Sequence, residues 1–331
     1  MVGARKMASF SAIATATTAT AATGAVSFSS SSSKMTSSSS SKILYIVRHG
    51  QAMHNPRAEA AKDKGCSVEE FFELMRQDDA LDADLTDLGR QQAKKCHEDN
   101  FMAAGERHDD NNKNSNPLGI DLVVASCLSR TIDTADLCFP PSSSLTTTII
   151  KDEETDLSVS VSPRRISIDL FREVNGNLLN GKRRTKSELV KRHTNWNFDS
   201  LTTEEDESWT PEMEKHEDTA ERGYRGLVEL MTTENSTNTI LLACHGGILR
   251  YMMNTHPLVH LFDERTTSDD DDDNDNDNEA KREMKSIESR FENCELRKYR
   301  LSWKDYEGDD DNDNDEDDGA RRAIVLTQLD H

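Results

Sequence analysis

No apolar run in this 331-residue chain approaches the ~20 residues that a membrane span requires, so no membrane protein is expected. Hydrophobic residues make up 34% of the chain and the mean hydropathy is −0.76, which is poor material for a packed protein if taken as an average. Nothing suggests a covalent or metal framework either. The six cysteines, Cys66, Cys96, Cys127, Cys138, Cys244 and Cys294, include no CxxC pair. They read as reduced thiols in an intracellular compartment, not as a disulfide scaffold or a zinc site. Basic residues number 40 against 62 acidic ones, for a formal net charge of −22. Such a chain is not expected to hold nucleic acid by neutralising phosphates.

The polarity is concentrated in a few segments. Residues 1–41 contain no Asp or Glu and are mostly Ser from Ser27 to Ser41. That composition suits an organellar transit peptide, and it equally suits a disordered low-complexity extension. The expected location is therefore the cytoplasm, or an organelle if the tail is a targeting signal. Asp269–Glu279 and Asp309–Asp318 hold eight acids each. Charge blocks of this kind are usually solvated and disordered, and neither has the spacing of an EF-hand loop. We place acidic loop inserts at residues 268–279 and 308–319 and one folded domain over residues 42–331.

Within that domain, short apolar runs alternate with helical patterns. Ile43–Val47, Leu122–Ala125, Ile166–Leu170, Ile240–Ala243 and Ile324–Leu326 have the composition of buried parallel strands. Cys294–Trp303 reads as an edge strand. Ser67 with Glu70 makes a capping box ahead of Val68, Phe71, Phe72 and Met75 at helical spacing. Thr86 caps a second helix, Thr131–Cys138 forms a third, Pro211–Met231 a long fourth, and Ile248–Asn254 a fifth. Alternating strands and helices predict a three-layer α/β/α sandwich with a mostly parallel central sheet.

Four of the strands lead directly into polar residues. The first ends in Arg48-His49-Gly50, and Ile240–Ala243 ends in Cys244-His245-Gly246-Gly247. Leu122–Ala125 leads through Ser126 to Arg130, and Ile166–Leu170 leads to Arg172 and Glu173. Ligands in open α/β sheets bind beyond the carboxyl ends of the strands, where these residues would collect. Arginine forks bind phosphate oxygens bidentately and keep their charge. A neutral imidazole can attack phosphorus, and a carboxylic acid can protonate a leaving oxygen. No metal-ligand cluster and no Gly-rich nucleotide loop is visible, so no cofactor and no metal is expected.

These segments carry a family resemblance. Arg48-His49-Gly50-Gln51-Ala52-Met53-His54-Asn55 resembles the signature of the histidine phosphatase superfamily, whose fold is phosphoglycerate mutase-like. Leu85–Ala93, Ser126–Ala135, Leu170–Glu173 and His245–Gly247 resemble the family's further motifs, in family order. The resemblance implies that His49 is the phosphohistidine nucleophile. It implies that Arg48, Arg130 and His245 clamp the phosphoryl group, helped by Asn55 and Gly246, and that Glu173 is the proton donor. It also implies a small phosphorylated substrate, or a phosphoprotein. Three departures stand out: Ala52 where Ser or Thr is frequent, Cys127 where Pro is usual, and Gly176 one residue early after the acid. Cys127 is expected to affect only the turn. The basic cluster Lys182-Arg183-Arg184-Lys186 reads either as a solvated helix start or as a rim that attracts anions. Hydrolysis of a phosphomonoester is the expected activity. A phosphoglycerate-type mutase and an inactive phosphate-binding module are the alternatives.

Overall fold

The structure is a computed structural model and describes residues 41–102, 116, 118–141, 162–234, 236–263, 291–304 and 322–329. The expected tail (all but residue 41) and both acidic inserts lie outside the described residues.

The strands are β1 (Lys42–Arg48), β2 (Leu122–Ala125), β3 (Arg164–Ser167), β4 (Thr239–Cys244), β5 (Val259–Asp263), β6 (Leu296–Trp303) and β7 (Ile324–Gln328). They form one sheet in the order β3-β2-β4-β1-β6-β7-β5. β1 to β4 pair parallel with one another, β5 pairs parallel with β7, and β6 runs against β1 and β7. The helices are α1 (Pro56–Lys62), α2 (Val68–Gln77), α3 (Asp87–His97), α4 (Ser129–Cys138), α5 (Lys186–Arg192), α6 (His216–Thr232) and α7 (Gly246–Asn254). None of them is long and apolar enough to cross a membrane.

Side chains alternate across a strand, so the central strands must be apolar on both faces to be covered on both. Leu44, Ile46, Ile240 and Leu242 face a core built with Tyr224, Leu227 and Leu230 of α6 and Ile248 and Met252 of α7. Tyr45, Val47, Leu241 and Ala243 face the other core, with Ala93 and Cys96 of α3, Ile132 and Ala135 of α4, and Leu189 of α5. The result is the expected α/β/α sandwich. Each fully buried Leu or Ile contributes about 1.5–3 kcal/mol, which explains why the runs of β1 and β4 are continuously apolar.

Several elements differ from the sequence expectation. The strand expected over Ile166–Leu170 is β3, which starts at Arg164 and ends at Ser167. The chain then tightens into a 3-10 turn, Asp169–Phe171, because Asp169 accepts the Arg172 amide on its carbonyl and the Arg172 Nε on its carboxylate. The Cys294–Trp303 segment is not an edge strand: β6 lies between β1 and β7 with Tyr299 and Leu301 fully buried. The edge position falls to β5, which carries no pattern that set it apart. The long helix begins at His216, after Glu214 has been drawn into an ion pair with Arg222. Ser67 does cap α2 by accepting the Glu70 amide, but Val68 is 67% exposed and α2 buries no residue fully. The reciprocal capping box is found instead at Thr185 and Glu188, ahead of α5.

The segment after the acid loop is fastened from inside. The Arg172 guanidinium meets both oxygens of Asp206 at 3.0 Å, with both side chains almost wholly buried. Asp206 also accepts the amides of Arg183 and Trp209. Removing one member of a buried pair leaves the other charge uncompensated. Asp206→Ala is therefore expected to lower folding stability by about 3–5 kcal/mol in denaturant titrations. A loss below about 1 kcal/mol, the scale of an exposed pair, would contradict this.

Candidate active site

The parallel pairing of β1 with β4 aligns Arg48 with Cys244, and so sets His49 beside His245 just beyond the strand ends. Their rings are 5.0 Å apart between centroids in an edge-on arrangement, and both are buried. The next strand, β2, brings Ser126 to the same end, where its Oγ lies 2.8 Å from His245 Nε2. α4 follows and carries Arg130, fully buried. Asp82 caps this helix from elsewhere in the chain by accepting the Ser129 amide at 2.8 Å. Thr134, one turn on, accepts the Gly50 amide and ties α4 to the loop after β1.

The hydrogen bonds fix which atoms are available. His49 Nδ1 lies 2.7 Å from the Gly50 carbonyl. A carbonyl can only accept, so Nδ1 carries the proton and Nε2 the lone pair. Arg48 donates to the Phe291 carbonyl and lies 3.7 Å from the Glu59 carboxylate. Arg130 donates to the Asn180 carbonyl at 2.7 Å. Arg48 Nε, Arg130 Nε and His245 Nδ1 are buried with no partner among the described residues. Leaving a buried polar atom unsatisfied costs about 1–3 kcal/mol, and the two guanidinium Nε atoms are donors that an acceptor-rich ligand could fill.

Glu173 supplies the acidic side of the cluster. One carboxylate oxygen accepts from Val174 and Ile248 at 2.9 and 3.0 Å, and the other accepts from Gly247 at 3.3 Å. It thus caps the first turn of α7, whose own N-cap His245 makes no side-chain capping bond. A Cβ on Gly247 would collide with Glu173 Oε1, and one on Gly246 would stand 3.3 Å from Arg48 Nε. His49, Glu173 and His245 each offer a ligand atom, all within 4.8 Å of one another. That spacing could hold a cation, but Arg48 and Arg130 beside it favour an anion. Burial first, then Arg130 and Arg48, hold the His49 imidazole well below its ordinary pKa of 6.5. His245 is lowered by burial and Arg130 as well.

Of the other expected residues, Asn55 is buried and its Oδ1 accepts the Ala52 amide at 3.0 Å, so it closes the turn of the first motif. Cys127 does more than shape its turn. Its thiol donates to Asp169 at 2.7 Å and accepts from Arg172, bridging the loop of Arg130 to the loop of Glu173. The basic cluster is neither a solvated helix start nor a free rim that attracts anions. Arg183 donates to the carbonyls of Thr203, Glu204 and Glu205, Arg184 to Asp82, and Lys186 to Leu201. Only Lys182 stays beside a ring, 5.1 Å over Trp209. Cys244 is fully buried with its thiol pushed far up by burial, in keeping with a small filler.

Sequence reasoning assigned no functional role to four contributors. His54, whose sequence context reads as structural or rim, is buried, with Nδ1 unpartnered among the described residues and its pKa lowered by burial and by Arg130 and Arg48. Its place inside the first motif was the available signal. Ser126 opens the Ser126–Ala135 motif, and Glu59 has no signal beyond proximity to the first motif, although it joins Arg48, Gln51 and Asn293. Arg222 lies far from every motif.

No protein-family model matches the chain. It is 27% identical over 225 residues to a phosphoglycerate mutase-like protein of Arabidopsis thaliana, an alignment covering 65% of this chain and 74% of that protein. The chain resembles the phosphoglycerate mutase-like proteins. Among solved structures it is similar to the ecdysone phosphate phosphatase of Bombix mori in complex with tungstate, with a TM-score of 0.42 and 16% identity over 78% of this chain and 89% of that one. It is also similar to a phosphoglycerate mutase from Bacillus anthracis, with a TM-score of 0.37 and 13% identity over 79% of this chain and 88% of that one.

Two outcomes follow from the geometry. Because burial and two guanidiniums disfavour the imidazolium, His49 is expected to remain neutral and Nδ1-protonated at pH 6 in ¹⁵N NMR of the free protein. Titration at or above the ordinary value of about 6.5 would contradict it. Gly247→Ala is expected to expel the Glu173 carboxylate from the α7 N-terminus. A crystal structure of the variant with Glu173 still bonded to Ile248 would refute this.

Proposed function

We propose that this chain hydrolyses phosphomonoesters of small molecules through a phosphohistidine at His49. The observation that carries the reading is the hydrogen bond from His49 Nδ1 to the Gly50 carbonyl, which leaves the Nε2 lone pair for phosphorus. The five-motif resemblance and the phosphoglycerate mutase-like relative support the same chemistry.

The steps use this chain's own groups. The unfilled donors of Arg48 and Arg130, with His245 in its Nδ1-protonated form, take the phosphoryl oxygens. His49 Nε2 attacks phosphorus, and the bond to the ester oxygen breaks. Glu173, entering the step as the acid, gives its proton to that oxygen, so the alcohol leaves neutral. Water then attacks the phosphohistidine, and its proton returns to the Glu173 carboxylate. Inorganic phosphate departs and neutral His49 is restored. A nucleophile that begins neutral spends nothing on deprotonation, which fits the lowered pKa of His49.

The test is phosphate release from a panel of phosphomonoesters in EDTA, with wild type beside His49→Ala. Release is expected to survive EDTA and to fall by a factor on the order of 10³ or more in His49→Ala. Conversion of phosphoglycerate isomers without net phosphate release would overturn hydrolysis in favour of a mutase. Phosphate binding without turnover would overturn catalysis altogether.

A further inference from the structure

Arg222 projects from α6, 49 residues from Glu173 in sequence. Its guanidinium is largely buried, and each nitrogen is committed. Nε donates to Glu214 Oε1 at 2.9 Å. One terminal nitrogen donates to the carbonyls of Leu170 and Arg172 at 2.8 and 2.9 Å. The other donates to the Glu173 carbonyl at 3.2 Å and to Glu214 Oε2 at 2.7 Å. Glu214 Oε2 in turn accepts the Asn175 amide at 2.9 Å. One planar fork therefore holds three carbonyls that run up to and include the acid, and through Glu214 it also holds the amide two residues beyond. The Glu173 side chain meets the α7 N-terminus on the opposite side. Neither Arg222 nor Glu214 belongs to any motif in the sequence.

We propose that Arg222, with Glu214, is a positioning residue for the proton donor: it fixes the backbone of the acid loop so that the Glu173 carboxyl stays within reach of the leaving oxygen. It acts through Glu173 and touches neither substrate nor reacting atoms. The proposal rests on reading Glu173 as the acid. A fork with five donors in a plane is suited to this, and Lys, with three donors at one point, cannot reach the same set of acceptors. Positions must be held to about 0.5 Å for such a transfer to be efficient, so loosening the loop weakens proton donation first.

The consequence is a dependence on the leaving group. A nitrophenolate departs without help, whereas an alkyl alkoxide requires its proton. The experiment measures kcat/KM, which reports the phosphorylation step, for nitrophenyl phosphate and for an alkyl phosphate. It compares wild type with Glu173→Gln, Arg222→Met, Arg222→Lys and Glu214→Gln. Glu173→Gln is expected to lose about 10²- to 10⁴-fold on the alkyl ester and far less on the nitrophenyl ester. Arg222→Met is expected to follow the same pattern, with a loss of about tenfold or more confined to the alkyl ester, and Arg222→Lys to fall between. Retained nitrophenyl ester turnover is itself the measure of folded sites. Where Arg222→Met does not fold, Glu214→Gln, which leaves the arginine in place, decides the matter by the same comparison. Equal losses on both esters in the Arg222 and Glu214 variants, with Glu173→Gln still selective, would overturn the positioning role and leave the acid standing. Loss of selectivity in Glu173→Gln itself would overturn the acid assignment, and the proposal with it.

Discussion

A parallel register between two strands is the constraint on which the rest of the site depends. β1 and β4 lie side by side at the centre of the sheet, and their pairing aligns Arg48 with Cys244. Each strand is followed by a histidine, so the two imidazoles meet at the same height, beyond the last paired residues. Slipping the register by one residue would turn every side chain of β1 to the opposite face and take Leu44 and Ile46 out of their core. The two-sided apolar core thus locks the position of the histidines. Stability and chemistry are set by the same hydrogen-bond ladder.

What surrounds the pair is an electrostatic choice. The fully buried Arg130, the partly buried Arg48 and three buried imidazoles gather here, with Glu173 beside His49 and His245 and Glu59 beside Arg48. Such a group of cations is tolerable only if the imidazoles stay neutral and the guanidiniums are anchored by groups that leave donors unfilled. Both conditions hold. Asn180 anchors Arg130 through a carbonyl, which orients the fork without neutralising it, and Arg48 is held by the Phe291 carbonyl with the Glu59 carboxylate 3.7 Å away. Asn180 is itself fastened through its amides to Asp79. The unfilled Nε atoms are a cost in the free protein, and the phosphoryl oxygens of the proposed substrate would remove that cost on binding.

Much of this was legible in the sequence, and the reason is local. A strand followed at once by Arg-His-Gly or His-Gly-Gly carries its functional group with it, so placing the strand places the residue. Arg48, His49, Arg130, Glu173 and His245 converge for that reason. What could not be read depends on partners distant in sequence. The alternation of Tyr299 and Leu301 says that β6 has buried positions, but not whether a further strand lies outside it. The basic cluster after the acid loop resembled a charged surface because the carbonyls of residues 203–205 that absorb Arg183 lie some twenty residues away and carry no pattern. Arg222 is the sharpest case. Its side chain serves backbone carbonyls, and any sequence supplies those, so no residue type at the other end could signal the contact.

The acid loop is held from both faces, and Arg172 joins the two holds. Its side chain reaches down to Asp206, Asp169 and Cys127, while its carbonyl accepts from Arg222 above. Cys127 belongs to the loop that leads to Arg130, so the loops of Arg130 and Glu173 are tied through a thiol and a shared carboxylate, Asp169. Proline at that position, with no thiol, could form neither bond. A substitution that at first reads as a change of turn chemistry is therefore a cross-link between two parts of the site. On the proposed mechanism it connects the residue that would bind the phosphoryl oxygens to the residue that would protonate the departing one, and the separation of those oxygens is set by the ester itself.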